Sequence, residues 1–155
     1  MNLQEEILKI KNEMIDEFDK RVEALKEDGQ EFPQDGDDYW FIDSTGEVIN
    51  EKWEGLGFEI ERLEFGNIFK TKEQVEFAFE KLKVEAELRK FSQHPNIGAG
   101  KWFIVCGDSG NVYTSYTNQG IFQGSIYFES AEKIRQALES VGEDRIKKYI
   151  FGVED

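Results

Sequence analysis

KWFIVCGDSGNVYTSY, Lys101 to Tyr116, decides how the chain is read. Two runs rich in β-branched and aromatic residues flank a Gly-Asp-Ser-Gly punctuation, the pattern of a strand, a tight turn and a returning strand. The same order occurs earlier in YWFIDSTGEVIN, Tyr39 to Asn50. Trp40-Phe41-Ile42 matches Trp102-Phe103-Ile104, and Gly46-Glu47-Val48 matches Gly110-Asn111-Val112. Downstream, Gly66-x-Ile68-Phe69 matches Gly124-x-Ile126-Tyr127. Each copy then reaches a helix N-cap residue, Thr71 or Ser130, with apolar positions at equal offsets: Val75, Ala78 and Leu82 against Ile134, Ala137 and Val141. Three matches in one order predict two related strand–helix units.

The turn raises a chemical question. A Gly-Asp-Ser-Gly run after a cysteine looks like the nucleophile loop of a trypsin-like protease, with Ser109 as nucleophile. Such an enzyme needs a histidine and an aspartate placed far upstream on two barrels. The single histidine is His94, fifteen residues earlier in a Pro-Asn loop. Asp108-Ser109-Gly110 stands where Ser44-Thr45-Gly46 stands in the first copy, so the residues read as a hairpin turn.

Outward from the two hairpins, residues 1–28 read as one helix. Leu3, Ile7, Ile10, Met14, Phe18, Val22 and Leu25 recur every three or four residues, close to a coiled-coil heptad, with Gly29 as its stop. The stripe is covered either by its own domain or by a second copy in a homodimer. Self-association would fall to Leu3, Ile7, Ile10 and Met14. Residues 29–38, GQEFPQDGDD, read as an acidic linker. FEIERLEF alternates apolar and charged residues and reads as a strand, with GNIF as another. TKEQVEFAFEKLKVEAELRKF reads as a long helix, Thr71 and Gln74 forming a capping box. Its apolar residues fall in two opposed stripes: Val75, Ala78, Phe79, Leu82 and Ala86, and Phe77, Val84, Leu88 and Phe91. A helix apolar on two sides is covered on two sides. The organisation is thus an N-terminal helix (1–28), a linker (29–38), a first unit (39–92) and a second unit (101–155). GSIYF supplies a strand of the second unit, followed by the helices AEKIRQALESV and EDRIKKYIF. The expected fold class is α+β with antiparallel strands.

Charge bounds the function. The 155 residues hold 33 Asp plus Glu against 19 Lys plus Arg, a formal net charge of −14. Residues 1–38 alone hold 13 acids and 5 bases. Such a surface repels phosphate backbones and attracts basic proteins, so no direct nucleic-acid binding is expected. One cysteine, Cys106, excludes an intrachain disulfide and a cysteine zinc cluster, and reads as a small strand-end residue. MNLQEEILKIK lacks the apolar core of a signal peptide, and no apolar run is long enough to span a membrane. A cytoplasmic protein is expected.

Other chemical motifs fail on inspection. Counting from Asp35, Tyr39 and Trp40 fall where a calcium loop needs a fifth-position ligand and a glycine. Lys101 in GAGKW is followed by Trp102, not by the Ser or Thr a phosphate-binding loop requires. No constellation rises to a catalytic site, so no enzyme, no cofactor and no metal are expected. Aromatic residues crowd the strands, and alternation turns some of them outward, which favours protein interfaces.

ERLEFGNIFKTKEQVEFAFEKLKVEAELRKF (residues 61–91), with DDYWFIDSTGEV before it and GEDRIKKYIFGVED at the end, resembles a segment recurrent in small uncharacterised proteins of phages and prophages of Gram-positive bacteria. The resemblance covers about the last three quarters of the chain. It carries no catalytic residues over. It implies expression in the cytosol of an infected bacterium and a non-enzymatic role against host machinery or host immunity, as in anti-CRISPR proteins. CRISPR nucleases hold nucleic acid in positively charged channels, which an anionic protein fits.

The expected function is therefore a non-catalytic protein that binds and inhibits a host protein of defence or nucleic-acid processing, such as a nuclease with a basic channel. Asp35, Asp37, Asp38, Tyr39, Trp53 and Glu54 are the expected partner-binding residues. Two other classes remain: an assembly scaffold, and a nucleotide-binding protein using the aromatic strands.

Overall fold

The computed structural model describes residues 2–29 and 31–154, with the backbone alone for residues 24–28. The chain is α+β. Helix α1 (Leu3–Asp28) leads into a hairpin of β1 (Asp38–Ile42) and β2 (Val48–Lys52), then α2 (Gly57–Glu64) and α3 (Lys72–Arg89). A second hairpin, β3 (Lys101–Cys106) and β4 (Val112–Thr117), precedes the short β5 (Tyr127–Phe128), α4 (Ala131–Val141) and α5 (Glu143–Phe151). No helix among the described residues is long and apolar enough to cross a membrane.

The two turns close in the same way. Asp43 N–H donates to the Glu47 carbonyl and Gly46 N–H to the Asp43 carbonyl; Gly107 and Gly110 repeat the pattern with Asn111 and Gly107. Gly46 and Gly110 hold φ of +84° and +77°, a region where a side chain is strained. Ser109 lies in this turn, and its hydroxyl donates to the side chain of Asn111. His94 sets Nδ1 3.2 Å from the Pro95 carbonyl. Both residues are engaged locally.

Beyond the hairpins the two halves diverge, and the expected repeat does not carry through: a helix, α2, intervenes only in the first, and Trp40 bridges Phe69 whereas Trp102 pairs with Phe128 and not with Tyr127. In the second, β5 pairs with β3, Trp102 opposite Phe128, giving the sheet order β4-β3-β5. In the first, Phe69 forms a single antiparallel bridge with Trp40, so GNIF adds one rung instead of the expected strand. FEIERLEF departs further: it is helix α2. The Glu59 carboxylate reaches back to the N–H groups of Leu56 (2.8 Å) and Glu54 (3.0 Å), satisfying donors that open the helix. Arg62 stands in the last turn, where positive charge suits the helix dipole. Local side-chain bonds outweigh the alternating pattern.

Helix α3 begins at the expected capping box: Gln74 N–H donates to Thr71 Oγ1 (3.2 Å), and Gln74 Oε1 accepts from Thr71 N–H (3.3 Å). Ser130 caps α4 through Lys133 N–H. The stripe with Phe77, Val84 and Leu88 turns to the second unit. Val84 and Leu88 join Phe128, Ile134, Ala137, Val141 and Ile146 in the main core, and Phe77 lies 5.1 Å from the ring of Tyr149. The other stripe meets the first hairpin, where Phe79 closes over Gly46. That hairpin is too narrow to cover the whole stripe. Val75 is buried like Ile134, but Leu82 is exposed where its counterpart Val141 is buried.

Helix α1 stands apart. Of its described side chains, Val22 alone is partly covered. Leu3, Ile7, Ile10, Met14 and Phe18 are all exposed.

Candidate protein-interaction surface

Strand alternation in β1 sends Tyr39 and Phe41 inward and leaves Trp40 half-buried. Tyr39, Phe41 and Trp53 form a small second core, with Phe32, Ile49 and Ile68 packed on it. Tyr39 and Trp53, expected to meet a partner, are therefore interior residues. Their rings lie 5.8 Å apart, edge to face. The cause is the shortness of the sheet: a two-stranded hairpin needs its largest rings to make any core.

The phenol of Tyr39 enters a polar network. It donates to Glu51 (3.0 Å) and accepts from Arg62 Nη1 (2.8 Å), and Arg62 also bonds Glu51 (3.0 Å). The Arg62 guanidinium lies 3.6 Å over the ring of Phe41 and 4.9 Å from that of Phe58, both within cation–π range. Burial raises the Tyr39 phenol well above its usual pKa, helped by its acidic neighbours and opposed by Arg62. Glu59 is only 2% exposed. Burial pushes its pKa up, but the Leu56 and Glu54 N–H bonds, Tyr39 and Arg62 outweigh this and hold it below the usual range.

This network has a consequence for α2. Glu59 and Arg62, three residues apart, face the hairpin, so the inner face of the helix is polar. The apolar residues are left outward: Leu56, Phe58, Ile60 and Leu63 are all exposed, and Phe65 just beyond is 86% exposed. A cleft of about 470 Å³ opens beside them, lined by Ile42, Phe65, Gly66, Asn67, Phe69, Ala78, Lys81, Leu82 and Glu85. Asn67 fixes one wall, exchanging hydrogen bonds with the Ile42 carbonyl (2.7 Å) and N–H (2.9 Å). The floor is the part of α3 that the hairpin leaves uncovered. Phe65 joins the exposed apolar residues of α2 to this cleft, whose lining also carries Lys81 and Glu85, the composition of a protein interface core with a charged rim.

The remaining expected residues are spread. Asp35 and Glu54 are exposed. Asp37 is half-buried: its carboxylate accepts from Gln34 N–H (2.9 Å) and its carbonyl from Trp53 N–H (2.8 Å). The end of the linker is thus tied to the hairpin. Asp38 is the first residue of β1 and pairs with Lys52 at 3.3 Å. Ile7, Ile10 and Met14 line the open face of α1, and Leu3, one turn earlier, is exposed as well.

A second groove runs between α3 and α5, with Phe77, Phe79 and Tyr149 between Glu73, Glu76, Glu80 and Glu154. Behind it Arg145 bonds both carboxylate oxygens of Glu87 at 3.1 Å. That hydrogen-bonded pairing, more than the opposing burial, lowers the Glu87 pKa.

Sequence reasoning missed Phe65, Leu63 and the Glu59–Arg62 pair because it read α2 as a strand, and it set Leu82 among the core positions of α3, where it is exposed. The available signal was Glu59 three residues after Leu56 and Arg62 three residues later, a helical spacing. Among the described residues, no group of three or more His, Cys, Asp or Glu side chains is arranged to hold a metal ion. Comparison of the chain with protein-family models, with curated proteins and with solved structures gives no match.

Proposed function

We propose that the chain is a non-catalytic binding module that docks on a basic protein through the outward face of α2 and the adjoining cleft. The observation that carries this reading is the inverted helix: polar Glu59 and Arg62 inside, Phe58, Ile60, Leu63 and Phe65 outside. Phe65, 86% exposed, forgoes most of a burial worth about 1.5–3 kcal/mol; Phe58, Ile60 and Leu63, about half covered already, forgo roughly half as much each, and a protein partner recovers it. The net charge of −14 selects a positively charged partner and speeds the encounter. A phage-borne inhibitor of a host nuclease, seated on a basic nucleic-acid channel, is the specific case suggested by the sequence resemblance.

In this reading Phe65 is the anchor and the glutamates form the rim. Phe65→Ala should weaken the complex by about 2 kcal/mol, roughly thirtyfold. Reversing Glu61 and Glu64 to lysine should slow association and remove much of its salt dependence. The test is affinity capture from the bacterial host with wild-type chain and with Phe65→Ala, followed by titration of the captured protein. A basic protein whose capture is lost with Phe65→Ala and weakened by salt supports the reading. Equal capture by both chains rejects it. The open face of α1 favours a second reading, an assembly scaffold, for which only proteins of the same phage would be retained.

A further inference from the structure

The stripe on α1 has its own period. Leu3, Met14 and Leu25 stand eleven residues apart, and six steps from Leu3 to Leu25 average about 3.67 residues, against 3.5 for a heptad. On a helix turning about 100° per residue, the stripe drifts only about 40° along α1. A partner helix must follow the same nearly straight path, with the same spacing at the same level. A second copy of α1, parallel and in register, does so by identity.

The flanks choose the orientation. Helical positions place Glu6, Glu13 and Glu17 along one edge of the stripe, and Gln4, Lys11 and Ile15 along the other. Lys11 and Ile15 line the same groove as Ile7, Ile10, Met14 and Phe18. In a parallel pair unlike edges meet, so Glu6 of one chain faces Lys11 of the other, five residues on. In an antiparallel pair the glutamate edge meets itself, which is repulsive. Glu13 and Glu17 are held within their own helix by Lys9 (3.9 Å) and Arg21 (2.7 Å), leaving Glu6–Lys11 as the cross-chain contact.

The area suffices. Six seam residues a side, at about 60–120 Å² of apolar surface each, bury about 700–1,400 Å², reaching the lower range of specific interfaces. Most of a helix's stability in a protein comes from packing of its apolar face, yet none of Leu3, Ile7, Ile10, Met14 and Phe18 is covered by the body of the protein.

We propose that α1 is a dimerisation helix that pairs in parallel, in register, with α1 of a second copy, along a nearly straight seam. This is independent of how α2 and its cleft are used. The test is sedimentation equilibrium of the full chain over a hundredfold concentration range. The expected result is a mass rising toward twice the 18.0 kDa chain mass, and its loss in Met14→Lys while the thermal unfolding of the dilute protein stays the same. A monomer at every concentration, or a dimer that survives Met14→Lys, overturns the proposal. For orientation, Ile7→Cys in a Cys106→Ala background should form a disulfide-linked dimer on mild oxidation. Absence of that link, with a cross-link between Ile7→Cys and Val22→Cys chains instead, overturns the parallel arrangement. Lys11→Glu should weaken pairing several-fold, and adding Glu6→Lys should restore it; loss without restoration removes the charge pairing.

Discussion

Helix α1 gathers most of its apolar residues into one stripe and covers almost none of it, whereas α3 divides them between two faces and buries part of each. The first looks like a surface helix of a globular domain, yet its stripe faces water. The second has no single apolar side, yet Val84 and Leu88 sit in the main core while Phe79 closes over the first hairpin. The difference teaches that periodicity shows where a helix can be covered, and only the packing of the chain shows whether it is. α3 carries the stability of the body. α1 leaves its stripe open.

Substitutions can break or sharpen this contrast. The largest effect should come from Leu88→Ala, which opens a cavity where α3 meets α4 and α5 and should cost about 2–5 kcal/mol in chemical denaturation. A loss below about 1 kcal/mol would mean that α3 is not the keel of the fold. Next is Glu59→Ala, which strips the acceptor from the Leu56 and Glu54 N–H groups. A cost of about 1–3 kcal/mol is expected, with loss of α2 protection in hydrogen exchange. Arg145→Ala should cost about 1 kcal/mol, because its pair with Glu87 is about a third exposed and screened by water. The smallest effect should come from Ile10→Ala in α1: the dilute protein should unfold within about 0.5 kcal/mol of wild type. The same change should weaken association of the concentrated protein.

Acid sharpens the comparison further. Glu59 and Glu87 both have lowered folded-state pKa values against an ordinary 4.5. Their contribution is complete above about pH 4.5 and is lost as the pH falls through the lowered values. The α2 network and the α3–α5 contact should therefore weaken together in acid. Glu59→Gln should flatten the acid limb of the stability profile, and an unchanged limb would remove Glu59 from the account.

Much of the fold was legible because it rests on local chemistry. The two hairpins follow from β-rich runs around Gly46 and Gly110, whose positive φ marks the turns. Thr71 and Ser130 start their helices through bonds to residues three positions on. The candidate surface was not legible. It depends on α2 being helical, which rests on the Glu59 side chain folding back on the backbone, and on α2 turning its polar face inward to Tyr39 and Glu51. The dense aromatics were also misleading: Tyr39 and Trp53 fill a small core because the first sheet has little else to bury.

By itself the sequence determined the α+β class, both hairpin turns, the helix starts at Thr71 and Ser130, and the charge of −14. These follow from backbone sterics, short-range hydrogen bonds and counting, none of which needs the rest of the chain. Only the tertiary structure decided which stripes are covered, which way α2 faces and where the cleft opens. Burial is a competition among all apolar surfaces for a limited core. The second unit, with its third strand and two helices, fills the main core; the narrow first hairpin leaves Leu82, Phe65 and the outer face of α2 in water.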